Sequence, residues 1–135
     1  MDKMYVKVPV SVKAKVTETL KSKIVSSLEA EVKQADLNAQ QLEFRAKQAL
    51  NEQANEDASK IELLQRQIDV EKAKLENAKN AILDKLKRAQ KLELGAEIGH
   101  GKLERTVELK VGTNLDALMG AEILVEDGKI ISFRD

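Results

Sequence analysis

The chain has 135 residues, and its 23 Lys and Arg balance 23 Asp and Glu, so its formal net charge is zero. Charged residues make up 34% and aromatic residues 2% of the sequence, which is typical of coiled coils and unfavourable for a large globular core. With no Cys and a single His, the composition excludes a disulfide scaffold, thiolate chemistry and a multi-histidine metal site.

Membrane and export signals are the next class to consider. No apolar run approaches the ~20 residues of a membrane-spanning helix. The opening segment MDKMYVKVPV lacks the apolar centre of a signal peptide. We therefore expect a cytoplasmic protein that does not bind membranes.

The first predicted element is a β-strand within residues 1–14. Apolar residues recur at every second position and share one face: Met4, Val6, Val8, Val10 and Val12. Pro9 lies on the other face and has no N–H to donate to a neighbouring strand. The pattern therefore predicts an edge strand, or a strand with one free side.

A long helical segment follows, over residues 15–94, with Thr17 as its N-cap. Its first half carries a heptad row in alternating steps of three and four: Val25, Leu28, Val32, Ala35, Ala39, Leu42, Ala46 and Ala49. Its second half carries a similar row, which Glu71 and Lys85 interrupt: Ile61, Leu64, Ile68, Leu75, Ala78, Ile82, Ala89 and Leu92. Gly95 is predicted to end the helix at the C′ position.

The heptad spacing lapses between the two rows, where Gln53 and Glu56 replace apolar residues. The two arms are nearly equal, each about 50 Å long as helix. We therefore predict a turn near residues 51–59 and an antiparallel hairpin in which Ala39 lies opposite Ile68. The alternative is one continuous helix of about 110 Å that pairs only with another chain.

The last section, residues 95–135, contains all six glycines and alternating apolar residues, which favour β-structure. Thr113 and Asp116 have the spacing of a capping box before a short helical turn. Asp127-Gly128 joins two β-rich runs and predicts a type I′ hairpin. Since a helical hairpin returns the chain to its starting point, we expect this section and the first strand to form a small antiparallel β module, closed as a small barrel.

Within that predicted hairpin, the two-residue turn also sets the pairing of the strands. It places Val125 opposite Ile130 and Leu124 opposite Ile131. The hairpin would then be apolar on both faces, so we expect other strands or a partner to cover it.

The stretches LELGAEI (92–98) and VGTNLDALMGAEILVEDGKI (111–130), together with the opening strand and Thr17-Glu18, resemble the YlqD family of bacterial proteins. The resemblance covers the whole chain in layout and is specific in the last section, although Gly99–Lys102 departs from it. It implies coiled-coil arms and a β module in the cytoplasm, with no established biochemical function.

One glycine-rich stretch, GAEIGHGK at 95–102, invites comparison with a phosphate-binding loop. It has five residues rather than four before the Gly-Lys pair, and Leu103 stands where Ser or Thr is needed. We interpret it as a glycine-rich bend entering the sheet. His100 has no second His or Cys to act with, and a catalytic role with Glu97 or Glu104 is the alternative to our interpretation of it as a loop histidine with no special task.

Charge alternates in blocks: residues 1–27 carry +4, residues 28–70 carry −4, residues 71–94 carry +3 and residues 95–135 carry −3. A hairpin would bring the two basic blocks to one end. A solvated charged surface explains this pattern simply, and an anion- or RNA-binding site is the functional alternative. The residues for such a site are Lys21, Lys23, Lys87, Arg88 and Lys91.

The predicted fold is α+β, with a long antiparallel helical hairpin on a small β module. The predicted function is that of a non-enzymatic interaction or structural protein without cofactor, metal or small-molecule substrate. Because four large apolar residues lie off the main heptad rows, we expect a homo-oligomer, a dimer or larger: Ile24, Leu63, Val70 and Leu83. The alternative function is an RNA- or ribosome-associated factor; an enzyme would need a nucleophile–base pair, a metal set or a nucleotide loop.

Overall fold

The computed structural model describes residues 2–53 and 57–134. Its elements are β1 (Lys3–Lys15), α1 (Glu18–Glu52), α2 (Ala58–Gln90), β2 (Glu97–Lys110), α3 (Leu115–Leu118), β3 (Glu122–Glu126) and β4 (Lys129–Arg134). The chain divides into a β unit, Met1–Ser22 with Leu92–Asp135, and a helical unit, Lys23–Lys91. The predicted α+β class is confirmed, with a helical hairpin and a β module built from both ends of the chain.

The β unit contains a four-stranded sheet in the order β2-β1-β3-β4. β1 pairs antiparallel with β2 along its whole length and parallel with β3 over Ser11–Ala14. The predicted antiparallel module is therefore wrong in one pairing. β2 ends beside the start of β1, so β3 returns in the direction of β1.

The sheet is open, which corrects the predicted small barrel. β2 and β4 are the two edges and do not pair with each other. Four strands are too few to close into a barrel, since even small β-barrels need five or more strands.

Pro9 lies where β1 has one free side, as predicted. β1 meets β3 only from Ser11 onward, and the Ser11 N–H donates to the Ala121 carbonyl oxygen at 3.2 Å. Backbone N–H direction alternates along a strand, so the nitrogen of Pro9 faces the same side, away from β2. No strand of the described residues pairs with that side at Pro9, so the missing N–H breaks no ladder there.

The core of the β unit follows from the alternation in β1, whose buried side chains are Val8, Val10, Val12 and Ala14, followed by Val16. Leu20, in the first turns of α1, packs against the cluster of Val12, Ala14 and Val125. This helix turn therefore covers the part of the sheet around Val12, Ala14 and Val125.

The β3–β4 hairpin turns at Asp127 and Gly128, whose φ angles of 48° and 82° are those of a type I′ turn. Val125 pairs with Ile130, as predicted. Leu124, however, pairs with Ser132 instead of Ile131, because the register shifts by one residue between Leu124 and Val125.

The helical unit is a hairpin, since α1 ends at Glu52 and α2 begins at Ala58. Residues 54–56 of the predicted turn lie outside the described residues. Asp36 of α1 forms an ion pair with Lys79 of α2 at 2.5 Å, and the midpoint of these positions lies between 57 and 58. The predicted pairing is therefore about one heptad out: Ala39 lines a groove with Leu75 instead of facing Ile68.

Two predicted helix termini are corrected. α2 ends at Gln90, and Gly95 adopts a positive φ of 88° in the turn beyond it, where its N–H donates to the Val16 carbonyl oxygen at 2.8 Å. α3 is capped by Asn114, whose side chain accepts from two backbone N–H groups, whereas Thr113 accepts from the Lys110 N–H. Asn is as good an N-cap as Thr or better, which explains why Asn114 rather than Thr113 caps α3.

Candidate functional site

The side chains that could bind a metal or take part in catalysis do not cluster among the described residues. Among residues 2–53 and 57–134, no three His, Cys, Asp or Glu side chains come together as a metal site. His100 is exposed in β2, between the two residues where the pairing with β1 shifts register. The predicted glycine-rich bend is therefore part of a strand.

None of the helices formed by the described residues has both the length and the apolar character needed to cross a membrane.

The inner seam of the helical unit is where the heptad rows predicted it, but it is thinly filled. Of the described residues of this unit, only Ala46, Ile68 and Ala89 are buried. Ala39 and Ala78 lie on the predicted rows and are nevertheless exposed. Small side chains in both rows leave space between the helices that none of the described residues of the hairpin fills.

The first consequence is an open groove of about 450 Å³ between α1 and α2, which we call the central groove. Its lining combines apolar and charged side chains; the residues are Ala35, Asp36, Ala39, Leu42, Glu43, Lys72, Leu75, Glu76, Lys79, Asn80 and Leu83. The ion pair of Asp36 and Lys79 bridges this groove.

A second open groove, of about 470 Å³, is lined by more basic than acidic side chains, and we call it the cationic groove. Lys23, Lys85 and Arg88 stand around it, with Glu31 as the single acid. Ile24, Leu28 and Ala89 supply its apolar lining, with Ser27. Two of the five predicted anion-binding residues, Lys23 and Arg88, therefore meet at one groove.

The other three predicted residues do not line the cationic groove. Lys87 and Lys91 are exposed in the helical unit. Lys21 belongs to the β unit, where its ammonium donates to the Leu92 carbonyl oxygen at 2.9 Å. Sequence reasoning missed Lys85, which it treated only as an interruption of a heptad row.

Large apolar side chains on the outside of the hairpin divide into two groups. Leu63 and Val70 are 58% and 54% exposed on α2, whereas Ile24 and Leu83 are half-buried beside the grooves. On α1, Leu37 and Phe44 are 50% and 64% exposed, and the sequence analysis did not single them out.

The β unit carries an ion cluster on the polar face of its sheet. Arg134 of β4 bridges Glu97 of β2 at 2.5 Å and Glu122 of β3 at 3.8 Å, and Lys13 of β1 bridges Glu122 at 3.1 Å. The hydrogen bond from Arg134 lowers the pKa of Glu97 below its usual value of 4.5. All four strands contribute to the cluster, so it links the whole sheet.

Comparison with known proteins places these features in a family. The family model described as YlqD protein matches residues 4–134. A crystal structure of a protein of unknown function from Synechococcus sp. WH 8102 is similar, with a TM-score of 0.78 and 27% identity, over 98% of this chain and 95% of that chain. No curated protein matches the sequence.

Proposed function

The chain belongs to the YlqD family, and we propose that it is a non-enzymatic interaction protein that self-associates through its helical unit. One observation carries this proposal: a hairpin of two helices, each about 50 Å long, buries only three side chains among its described residues. An amphipathic helix is stabilised chiefly by the burial of its apolar stripe. A helix pair with so thin a core has much to gain from further helices.

The energetic gain is concentrated in a few side chains. Leu37, Phe44, Leu63 and Val70 are each at least half exposed. Complete burial of a Val, Leu or Phe side chain contributes about 1.5–3 kcal/mol. Covering the exposed parts of two such side chains, for example Leu37 and Phe44, therefore contributes roughly 2 kcal/mol. Contacts of this size favour a reversible complex.

Protein concentration tests this proposal directly. Self-association adds stability by mass action, so the thermal midpoint of the helical circular dichroism signal should rise between about 1 and 100 μM protein. Sedimentation equilibrium should then give a mass above that of the 15.0 kDa chain. A midpoint independent of concentration, with a 15.0 kDa particle throughout, would overturn the proposal.

A second candidate function is the binding of a polyanion such as RNA at the cationic groove. Lys23, Lys85 and Arg88 around one groove are the observation that favours it. With no aromatic side chain in this lining, contacts would go to phosphates, giving little sequence preference and a strong dependence on salt.

Charge-reversal variants distinguish RNA binding at the cationic groove from non-specific attraction to positive surface charge. Changing Lys23, Lys85 and Arg88 together to Glu should abolish binding of a fluorescent RNA oligonucleotide at about 25 mM salt. The matched control changes Lys33, Lys47 and Lys60 to Glu, with the same alteration of net charge. Equal effects of the two triple variants, or no binding by the native protein, would exclude the candidate.

A further inference from the structure

The outside of α1 carries a second heptad row that contains no charged residue. Its members follow one another in steps of four and three and are all exposed: Ala30, Gln34, Leu37, Gln41, Phe44, Gln48 and Asn51. We call it the outer row. In a chain with 34% charged residues, three heptads without a charge are unusual for a helix surface exposed to water.

We propose that the outer row of α1 pairs with the outer row of α1 in a second copy of the chain. This inference rests on the proposed self-association and names the surface responsible for it. Steps of three and four are the spacing by which two helices keep a common seam in contact.

The shape of the outer row matches that pairing. A hollow of about 410 Å³ is lined by Leu37, Gln40, Gln41, Phe44 and Arg45. The first four of these are related as i, i+3, i+4 and i+7, the four residues that form the hole of a knobs-into-holes contact. The hollow is therefore ready to receive one large side chain from a facing helix.

A second copy is the occupant that this surface fits. It presents the same uncharged row, so Arg45 is the only charged residue that lines the hollow, and its own Leu37 and Phe44 are of the size that the hollow accepts. A two-fold axis makes such a contact isologous, each copy donating a knob and offering a hole. Charged partners would instead leave their charges against apolar and amide groups.

The size of the contact sets its strength. Residues 30–51 of α1 span about 33 Å, and a helix-wide strip of that length covers roughly 350 Å² on each copy. The total of about 700 Å² lies below the usual range for permanent complexes. We therefore expect a reversible dimer at tens of micromolar.

The outer face of α2 is the natural rival and is shorter. Leu63, Gln67 and Val70 form one uncharged stretch, but Lys60 and Lys74 interrupt its continuation at either end. One heptad of uncharged surface is much less than the three heptads of the outer row of α1. The two faces thus supply a matched pair for a test.

The test compares two double variants of the full chain. Leu37→Glu with Phe44→Glu alters the outer row of α1, and Leu63→Glu with Val70→Glu alters α2 at the same spacing and with similar exposure. Because all four side chains are exposed, helicity should survive in both, as checked by circular dichroism. The α1 variant should weaken the sedimentation dimer at least ~10-fold, about 1.4 kcal/mol, and the α2 variant less than ~2-fold.

A distance measurement gives an independent reading. The native chain has no Cys, so Gln41→Cys and Gln65→Cys each provide a single labelling site. Paired α1 helices lie about 10 Å apart, so spin labels at position 41 should show a distance between copies below about 25 Å. Labels at position 65 on α2 should lie farther apart.

The outcomes separate the inference from the proposed function. A monomeric native protein would overturn both. A native dimer that survives the α1 variant, or dissociates with the α2 variant, would overturn the outer row alone and leave self-association standing. A long distance at position 41 in a confirmed dimer would do the same.

Discussion

The two units of this chain are stabilised in opposite ways. Of the eleven buried apolar side chains among the described residues, three belong to the helical unit and eight to the β unit. β1 buries the β-branched side chains Val8, Val10 and Val12 at alternate positions, whereas the described residues of the two long helices bury two alanines and one isoleucine. The β unit therefore contains its own core, whereas the described residues of the helical unit bury few side chains.

The same substitution in both units gives the largest contrast. Val16 is 2% exposed in the β unit, whereas Val32 is half-buried on the α1 seam. Val16→Asp should cost more than about 4 kcal/mol, because an unpaired carboxylate would be buried there. Val32→Asp should cost less than about 2 kcal/mol, since its carboxylate can reach water. Urea unfolding of both variants would measure the difference, and equal losses would contradict the comparison.

The N-caps of the two long helices should differ in the same direction. The Thr17 hydroxyl accepts from the Leu20 N–H at 3.1 Å and donates to the Asp127 carboxylate at 2.6 Å. Asp57, which caps α2, accepts from the Ser59 N–H at 3.2 Å and is exposed. Thr17→Ala should cost about 2 kcal/mol and Asp57→Ala about 0.5–1 kcal/mol. Chemical unfolding that ranks Asp57→Ala as the more damaging change would show that the Asp127 bond contributes nothing.

Replacing a glycine by alanine in the β unit and an alanine by glycine in the helical unit should lower stability by smaller and nearly equal amounts. Gly128 has a φ of 82° in the β3–β4 turn, so Gly128→Ala should cost about 1 kcal/mol. Ala73 is exposed within α2, and Ala73→Gly should cost about 0.5–1 kcal/mol through backbone entropy. Thermal unfolding should show a lower midpoint for each variant; an unchanged midpoint for Gly128→Ala would mean that the turn relaxes to another type.

Local patterns predicted the elements, and non-local pairing is where prediction failed. Apolar residues at every second position predicted β1, and Asp127-Gly128 predicted the hairpin turn, because both signals depend on nearby residues in the sequence. The parallel pairing of β1 with β3 was missed because alternation tells which face a side chain takes and not which strand lies beside it. The bond from Thr17 to Asp127 joins residues 110 positions apart and leaves no local signal.

The candidate surfaces show a similar division. The predicted proximity of Lys23 and Arg88 depended on the hairpin alone, and both residues line the cationic groove. The outer row of α1 was overlooked because only two of its members, Leu37 and Phe44, are large and apolar. The signal was the absence of charge at heptad spacing, which a search for apolar periodicity does not detect.

The smallest predicted effect concerns the ion pair of Glu97 and Arg134, which joins β2 and β4, strands that are not neighbours in the sheet. The hydrogen bond from Arg134 holds the pKa of Glu97 below its usual value of 4.5. A carboxylate with a lowered folded-state pKa contributes stability above its unfolded pKa and loses it as pH falls.

Stability of the native protein should therefore decrease as pH falls through 4.5, the usual pKa of a Glu side chain, and below it. Glu97→Gln should make that decrease shallower, and Arg134→Gln should have the same effect because it removes the cause of the shift. The effect should be modest and should shrink at about 1 M salt, since both side chains are partly exposed and screened. Urea unfolding at a series of pH values measures it. Parallel pH profiles for the native protein and both variants would show that this bridge does not stabilise the sheet.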